Sequence, residues 1–337
     1  MKNQKAIVSI AIGDKYLVNW KRYCEPNWRG YANKNGFDLI CFEQPLDNSE
    51  RASKRSPAWQ KCLILSQDAV RDYERVVWVD SDIMFNDCAP DITAGVHRDK
   101  VGAIDDGGFR EEFHQRVDKL WPTAIPNHTP REYYRNYGLP DDCDESVNTG
   151  VLVLSPFYHR EILEHVYYAY EEKGGREWLM EQRPLSYELL KRDLVQFLDP
   201  RFNVMLSIEE IVHYPFLLPP PAPPDSKGLL ARIERKVRKM LPVVSPLQTF
   251  RIAAVNTIYQ SSYFMHFGGK IDDMALVNRG ASSWWNVSKA VTTEITREES
   301  RGMTWPTKLA RTQDGAPEPS PGFEWDLRSP SKNGPDN

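Results

Sequence analysis

The sequence predicts an α/β protein whose mixed, mainly parallel sheet is flanked by helices. Three observations carry that expectation. Short apolar runs alternate with segments of helical spacing from Ala6 to Val79, the pattern of parallel strands joined by right-handed crossovers. The last of these runs, VVWV, stops abruptly at Asp80-Ser81-Asp82, as strands do at the ligand-bearing rim of such a sheet. The length of 337 residues, with 41% hydrophobic and 27% charged, is enough to bury a full core without disulfide or metal staples.

Ala6 to Ile12 reads as a buried first strand, because its apolar run is broken only at Gly13-Asp14. Tyr16 to Lys34 follows with helical spacing and a break expected at Pro26. The turn pair Asn35-Gly36 introduces a second strand, Phe37 to Phe42. Ala58 to Tyr73 is again helically spaced, and Arg75 to Val79 is the third strand. If these three strands are parallel, Ile12-Gly13 and Asp80-Ser81-Asp82 share one rim. Lys100 to Ile104 is a fourth strand ending in Asp105-Asp106-Gly107-Gly108, and Ser146 to Leu154 a fifth, carrying Asn148-Thr149-Gly150 near its start. Phe157 to Glu172 and Leu185 to Leu198 are expected as helices, with Glu181-Gln182 between them, and Tyr263 to Gly269 as a strand running into a glycine turn.

Composition changes after Asn203. Tyr214 to Pro224 is too proline-rich for a helix or a central strand and reads as an extended connector. Residues 227–241 hold six basic residues against one acid, with Leu229, Ile233, Val237 and Met240 on one helical face, a pattern that fits a peripheral membrane contact through 227–241, a solvated helix packed by one stripe on the catalytic domain, or a lid over the acceptor. The domain reading is therefore a catalytic unit over 1–213 and 251–300, an insertion over 214–250, and a disordered tail over 312–337.

The formal net charge of -4 excludes a general nucleic-acid binder, since no overall positive field replaces phosphate counterions. No apolar run approaches the roughly 20 residues of a membrane span. The start, MKNQKAIVSIAIG, reads as a strand and not as a signal peptide. Cys24, Cys41, Cys62, Cys88 and Cys143 form no CxxC pair, which argues against a zinc site or disulfide framework and for the reducing cytoplasm, or a peripheral place on the inner membrane face.

The chemistry-bearing residues gather at the ends of these elements. Two carboxylates two residues apart past a rigid strand can reach one divalent cation, although a solvated turn has the same sequence. Trp59-Gln60-Lys61, VVWVDSDIMF, NTGVLVLS, EQRPLSYELL and HFGGK occur in that order. The combination resembles the metal-dependent glycosyltransferases of GT-A fold. It is most similar to the retaining families 8 and 34, with their glycogenin-like, galactosyltransferase-like and xylosyltransferase-like members. The resemblance covers about residues 5–270.

That resemblance implies Mn²⁺, with Mg²⁺ as the alternative, held by Asp80, Asp82 and His266, and a nucleotide-sugar donor whose diphosphate lies on the ion. It implies a saccharide or glycolipid acceptor, with a uridine diphosphate sugar as the donor. Ala11, Ile12, Gly13 and Tyr16 correspond to the segment that meets base and ribose, and Ser81 lies between the two aspartates. Lys61 corresponds to a basic residue near the donor, and Gly268, Gly269 and Lys270 to a phosphate-facing turn. Asp105 or Asp106 corresponds to an acid holding sugar hydroxyls, and Asn148 to an asparagine beside donor and acceptor. Glu181 and Gln182 correspond to an Asp-Gln pair, with glutamate here in place of aspartate. Gln182 is then expected beneath the anomeric carbon. Two other classes compete: a haloacid-dehalogenase-like phosphotransferase using the same DxD, although Met84 stands where that class has Thr or Val, and a non-catalytic sugar-nucleotide-binding relative.

Overall fold

Strands β1 (Lys5–Ile10), β2 (Phe37–Phe42) and β3 (Arg75–Val79) are the three expected apolar runs, and they pair in parallel in the order β2-β1-β3. The computed structural model describes residues 3–120, 129–173, 180–218 and 246–277, all within one unit, Met1–Val291. Most of the proline connector, the whole basic segment 227–241 and the tail 312–337 lie outside the described residues. Of the connector, Pro215–Leu217 forms a single 3₁₀ turn.

The sheet continues through β6 (Val147–Leu154), β5 (Val101–Asp105) and the edge strand β7 (Val195–Phe197), in the order β2-β1-β3-β6-β5-β7. Of the six strands only β6 is reversed, since it runs antiparallel to both β3 and β5 while β7 is parallel to β5. The expected sheet is therefore present. Every residue of β6 is buried, so its apolar run carries no mark of its direction.

A second, three-stranded sheet has the order β4-β9-β8, from β4 (Ile83–Phe85), β8 (Val204–Met205) and β9 (Phe264–His266). It packs with one face of the main sheet, where Val77, Val79, Phe85, Phe202, Phe264 and Phe267 share a core. On the opposite face, Trp59, Leu63, Leu65, Leu163 and Leu185 cover Val8, Val76 and Leu152.

Three elements differ from expectation. The helix over Tyr16–Lys34 is α1 (Asp14–Asn19), a wide π turn at Trp20–Cys24, and α2 (Glu25–Asn35). Pro26 sits in the first turn of α2, where a missing N–H costs nothing, so it does not break the helix. The π turn brings Trp20 and Cys24 inward, and Cys24 Sγ donates to the Ser81 carbonyl at 3.2 Å. Trp28 Nε1 donates to the Ile83 carbonyl at 2.8 Å, so this helical arm braces the segment after β3.

Ala58–Tyr73 is a tighter 3₁₀ coil, Pro57–Ser66, followed by turns. Seven consecutive residues, Trp59 to Leu65, are buried, so packing on all sides and not one apolar face decides its form. The third departure is Leu185–Leu198. Its helix, α7 (Gln182–Lys191), begins earlier and stops before Asp193, whose φ of 52° turns the chain into β7. The short helices α3 (Glu50–Ser53), α4 (Glu111–Leu120), α5 (Pro130–Tyr137) and α8 (Leu206–His213) join the longer α6 (Pro156–Ala169) and α9 (Pro246–Ser261) around the sheets.

Candidate active site and metal centre

Parallel pairing of β1 and β3 puts Ile12 and Asp80 at the same rim, as the sequence predicts. The Asp80 N–H donates to the Gly150 carbonyl at 2.9 Å, which fixes the end of β3 against β6. Just beyond, β4 pairs with β9 so that Ile83 faces His266, and Phe267 N–H donates to the Asp82 carbonyl at 2.9 Å. This register brings together residues that are far apart in sequence. The ligand atoms of Asp80, Asp82 and His266 all lie within 4.8 Å of one another.

Each group in this cluster is oriented by neighbours. Trp78 Nε1 donates to Asp80 Oδ1 at 2.9 Å, and Lys61 Nζ lies 3.2 Å from the same oxygen. Asp80 Oδ2 is thereby left facing His266 Nε2, which is 3.9 Å away and 3.3 Å from Asp82 Oδ1. Two hard carboxylate oxygens and one imidazole nitrogen fit a divalent cation of the Mn²⁺ or Mg²⁺ type better than sulfur-seeking Zn²⁺. Gly150 makes room for the imidazole. A β-carbon built there would stand 2.7 Å from His266 Cε1, so the glycine of NTG is required by close approach.

The charges are strongly coupled. Burial lowers the proton affinity of His266, but Asp82 and Asp80 outweigh it and hold the imidazole above its ordinary value. For Asp82, burial opposes ionisation and the His266 charge and hydrogen bond prevail, holding the carboxyl below the usual range. Asp80 is pushed up by burial, which Lys61 and His266 only partly offset.

Lys61 is buried and clamps two carboxylates, at 3.2 Å from Asp80 Oδ1 and 2.9 Å from Glu181 Oε1. It also donates to the Thr149 carbonyl at 3.2 Å. Burial works against its charge, but the two carboxylates raise its pKa overall. Lys61 holds acidic groups that line the site and is itself 4% exposed.

Next to the cluster, β5 and β6 slip register between Ala103 and Ile104, so Thr149, Gly150 and Val151 have no β5 partner. The slip turns Asn148 and Thr149 toward Gln182, the first residue of α7. Gln182 Oε1 accepts from Thr149 N–H at 3.3 Å, while its Nε2 donates to Asp106 Oδ2 at 2.8 Å and to Tyr133 OH at 3.3 Å. Gly108 N–H donates to Asp106 Oδ1 at 3.0 Å, and the nearby Asn148 side chain also favours the Asp106 charge. Burial still pushes the Asp106 carboxyl up.

The two aspartates left open by sequence differ in setting. Asp106 is buried among site groups, whereas Asp105 is exposed. Ser81 and Gly268 adjoin the cluster, and the remaining sequence-predicted residues take varied places. Ala11 is fully buried and its N–H donates to the Phe42 carbonyl, so it shapes the strand end without offering surface. Ile12 lines a hollow of about 190 Å³ with Asp47, Asn48, Ser49 and Gln60. Gly13 takes φ 89° before α1, and Tyr16 is exposed. Ser81 is buried under Cys24. Gly268 packs against Met205, and Gly269 takes φ 72°. Lys270 does not project freely as a point charge; it is ion-paired with the buried Glu210 of α8.

Sequence reasoning did not single out Trp78, Tyr133, Gly150 or Asn203. Asn203 stands between His266 Nδ1, at 3.0 Å from its Oδ1, and Asn148 Oδ1, at 2.7 Å from its Nδ2. Its signal in the sequence is only its place before β8, whose parallel register pairs Met205 with His266.

No protein-family model matches the chain, and neither does any curated protein. Among solved structures, it is similar to a glycosyltransferase involved in glycosylation of the major capsid of PBCV-1, at 15% identity over 81% of this chain and 100% of that one, with a TM-score of 0.43. The apo structure of the bifunctional glycosyltransferase WbbM is similar at 13% identity over 87% of this chain, with a TM-score of 0.43; this chain spans 52% of that one. The galactosyltransferase LgtC, solved with donor and acceptor sugar analogues, is similar at 14% identity over 71% of this chain and 97% of that one, with a TM-score of 0.36.

Proposed function

We propose that this chain is a nucleotide-sugar glycosyltransferase that moves a hexose or pentose from a uridine diphosphate sugar to a saccharide or glycolipid acceptor with retention. The observation that carries the reading is the convergence of Asp80, Asp82 and His266, within 4.8 Å of one another, beside a buried ring of polar groups at the strand-end rim. A Mn²⁺ ion held by these three residues supplies Lewis-acid compensation for charge on the departing diphosphate.

The remaining roles belong to the chain's own residues. The hollow at Ile12 receives the nucleoside, and the exposed Tyr16 is the ring assigned to stack on the base. Asp106, Asn148 and Glu181 hold sugar hydroxyls, and the order donor sugar then acceptor runs outward from them. Asp106 accepts from Gln182 Nε2 and Gly108 N–H, whereas Glu181 is held by Lys61 through Oε1 and its buried Oε2 has no hydrogen-bond partner among the described residues. Retention is taken from the family resemblance: departure and attack share one face, with the leaving phosphate taking the acceptor proton. Gln182 keeps its Nε2 on Asp106 and lends its carbonyl dipole to the oxocarbenium-like transition state.

A thermal-shift series with UDP-galactose, UDP-glucose and UDP-xylose, with and without Mn²⁺, tests the reading. Donor at about a hundred times its Kd stabilises the native state by about 2.7 kcal/mol, a rise in Tm of several degrees. That rise is expected only with Mn²⁺ and only in the wild type. An equal rise in Asp82→Ala, or none with any donor, contradicts the reading.

A further inference from the structure

The amide orientations around His266 can be worked out from one main-chain donor. Gly150 N–H donates to Asn148 Oδ1 at 3.0 Å, and a main-chain N–H can only donate, so the oxygen of Asn148 is fixed on that side. The atom of Asn203 that meets this oxygen at 2.7 Å must then be its NH₂ group. Its other end, Oδ1, lies 3.0 Å from His266 Nδ1, and an amide oxygen has no proton to give. Nδ1 therefore carries the hydrogen, and Nε2 is the nitrogen turned toward Asp80 and Asp82.

From this we infer that Asn203 is a positioning residue: it holds the His266 ring in the tautomer that offers Nε2 to the ion, and ties that ring to Asn148 on the sugar side. The inference deepens the proposed function and rests on it. Asn203 touches neither ion nor sugar. It couples the ring which binds the ion to Asn148, the asparagine on the sugar side, through two hydrogen bonds. Outer groups of this kind change metal affinity by about 10–100-fold when removed. Asn203 is 5% exposed, so water does not readily replace its amide.

The test measures Mn²⁺ binding alone, by loss of the free-ion EPR signal, with far-UV circular dichroism on every variant. Asn203→Ala is expected to weaken Mn²⁺ binding about 10–100-fold. Asn203→Asp keeps an acceptor for Nδ1–H but sets a carboxylate oxygen against the Asn148 oxygen. It is expected to hold Mn²⁺ within about threefold of wild type while losing kcat more than donor KM. In a cycle with His266→Ala, removing Asn203 should cost no further Mn²⁺ affinity, which a merely structural role does not predict. Equal Mn²⁺ affinity in wild type and Asn203→Ala, additive losses in the cycle, or a tenfold loss in Asn203→Asp overturns the inference alone. Absence of Mn²⁺ binding in wild type, or binding unchanged by Asp82→Ala, overturns the functional reading and this inference with it.

Discussion

His266 illustrates how single residues set the site. Its ring is buried, enclosed by Asp82 at 3.3 Å, Asn203 at 3.0 Å and the bare α-carbon of Gly150. Gly150→Ala adds a methyl group that meets the ring at 2.7 Å; β6 cannot retreat without breaking the Asp80–Gly150 pairing, nor the imidazole without leaving Asn203 or Asp82. The variant is expected to fold, with Mn²⁺ affinity lowered about tenfold or more in titration calorimetry. Unchanged affinity would show that the ring is not confined there. Asp80, Asp82 and His266 are legible in the sequence only through the ordered motifs that carry the resemblance, since a strand-end acid pair alone reads equally as a solvated turn and a lone histidine as a packed core residue. Asn203, Thr149 and Tyr133 are not, because amides and hydroxyls recur in every loop and only the folded chain reveals which of them meet.

Among the elements, β3 and its neighbours carry the site, and the segment after β3 is braced from outside. Lys5, the first residue of β1, pairs with Asp91 at 2.6 Å, and Asp91 also caps the turn at Thr93. Burial opposes the Asp91 charge, but Lys5 and Thr93 outweigh it and hold the carboxyl below its ordinary value. A carboxyl depressed in the folded state stabilises it above the unfolded value, near 3.9, and that stability is lost as pH falls through the folded value. Asp91→Asn is thus expected to cost roughly 0.5–1 kcal/mol in urea unfolding at pH 7, with the deficit closing below about pH 4. A deficit independent of pH would remove the ion pair as its cause. The apolar runs of β1, β2, β3, β5 and β6 are readable because each is bounded by turn residues or acids. The direction of β6 is not, since a strand buried on both faces looks the same either way, and β7 hides behind α7 because Asp193 resembles any polar helix residue. The register slip in β6 belongs to the same class, as it depends on which partner lies beside it.

At the scale of the whole molecule, two sheets meet at one rim, and the cation cluster lies where the end of β3 crosses to β4 and β9. No helix among the described residues is long and apolar enough to cross a membrane. The near balance of charge over the chain, -4 in all, conceals local pairings that decide the site: Lys61 between Asp80 and Glu181, Lys270 on Glu210. An acidic strand end of this kind is compatible by sequence with phosphoryl or glycosyl transfer, and the two chemistries leave different products. The most direct measurement is therefore the product released by wild type and Asp82→Ala from Mn²⁺ with UDP-galactose, UDP-glucose, UDP-xylose or a phosphomonoester. Wild type is expected to release UDP and free sugar slowly from one of the three donors, and Asp82→Ala at most about one hundredth as fast, the loss expected from removing a group that stabilises the departing charge. Release of inorganic phosphate from the phosphomonoester with no UDP from any donor would contradict sugar transfer at this site.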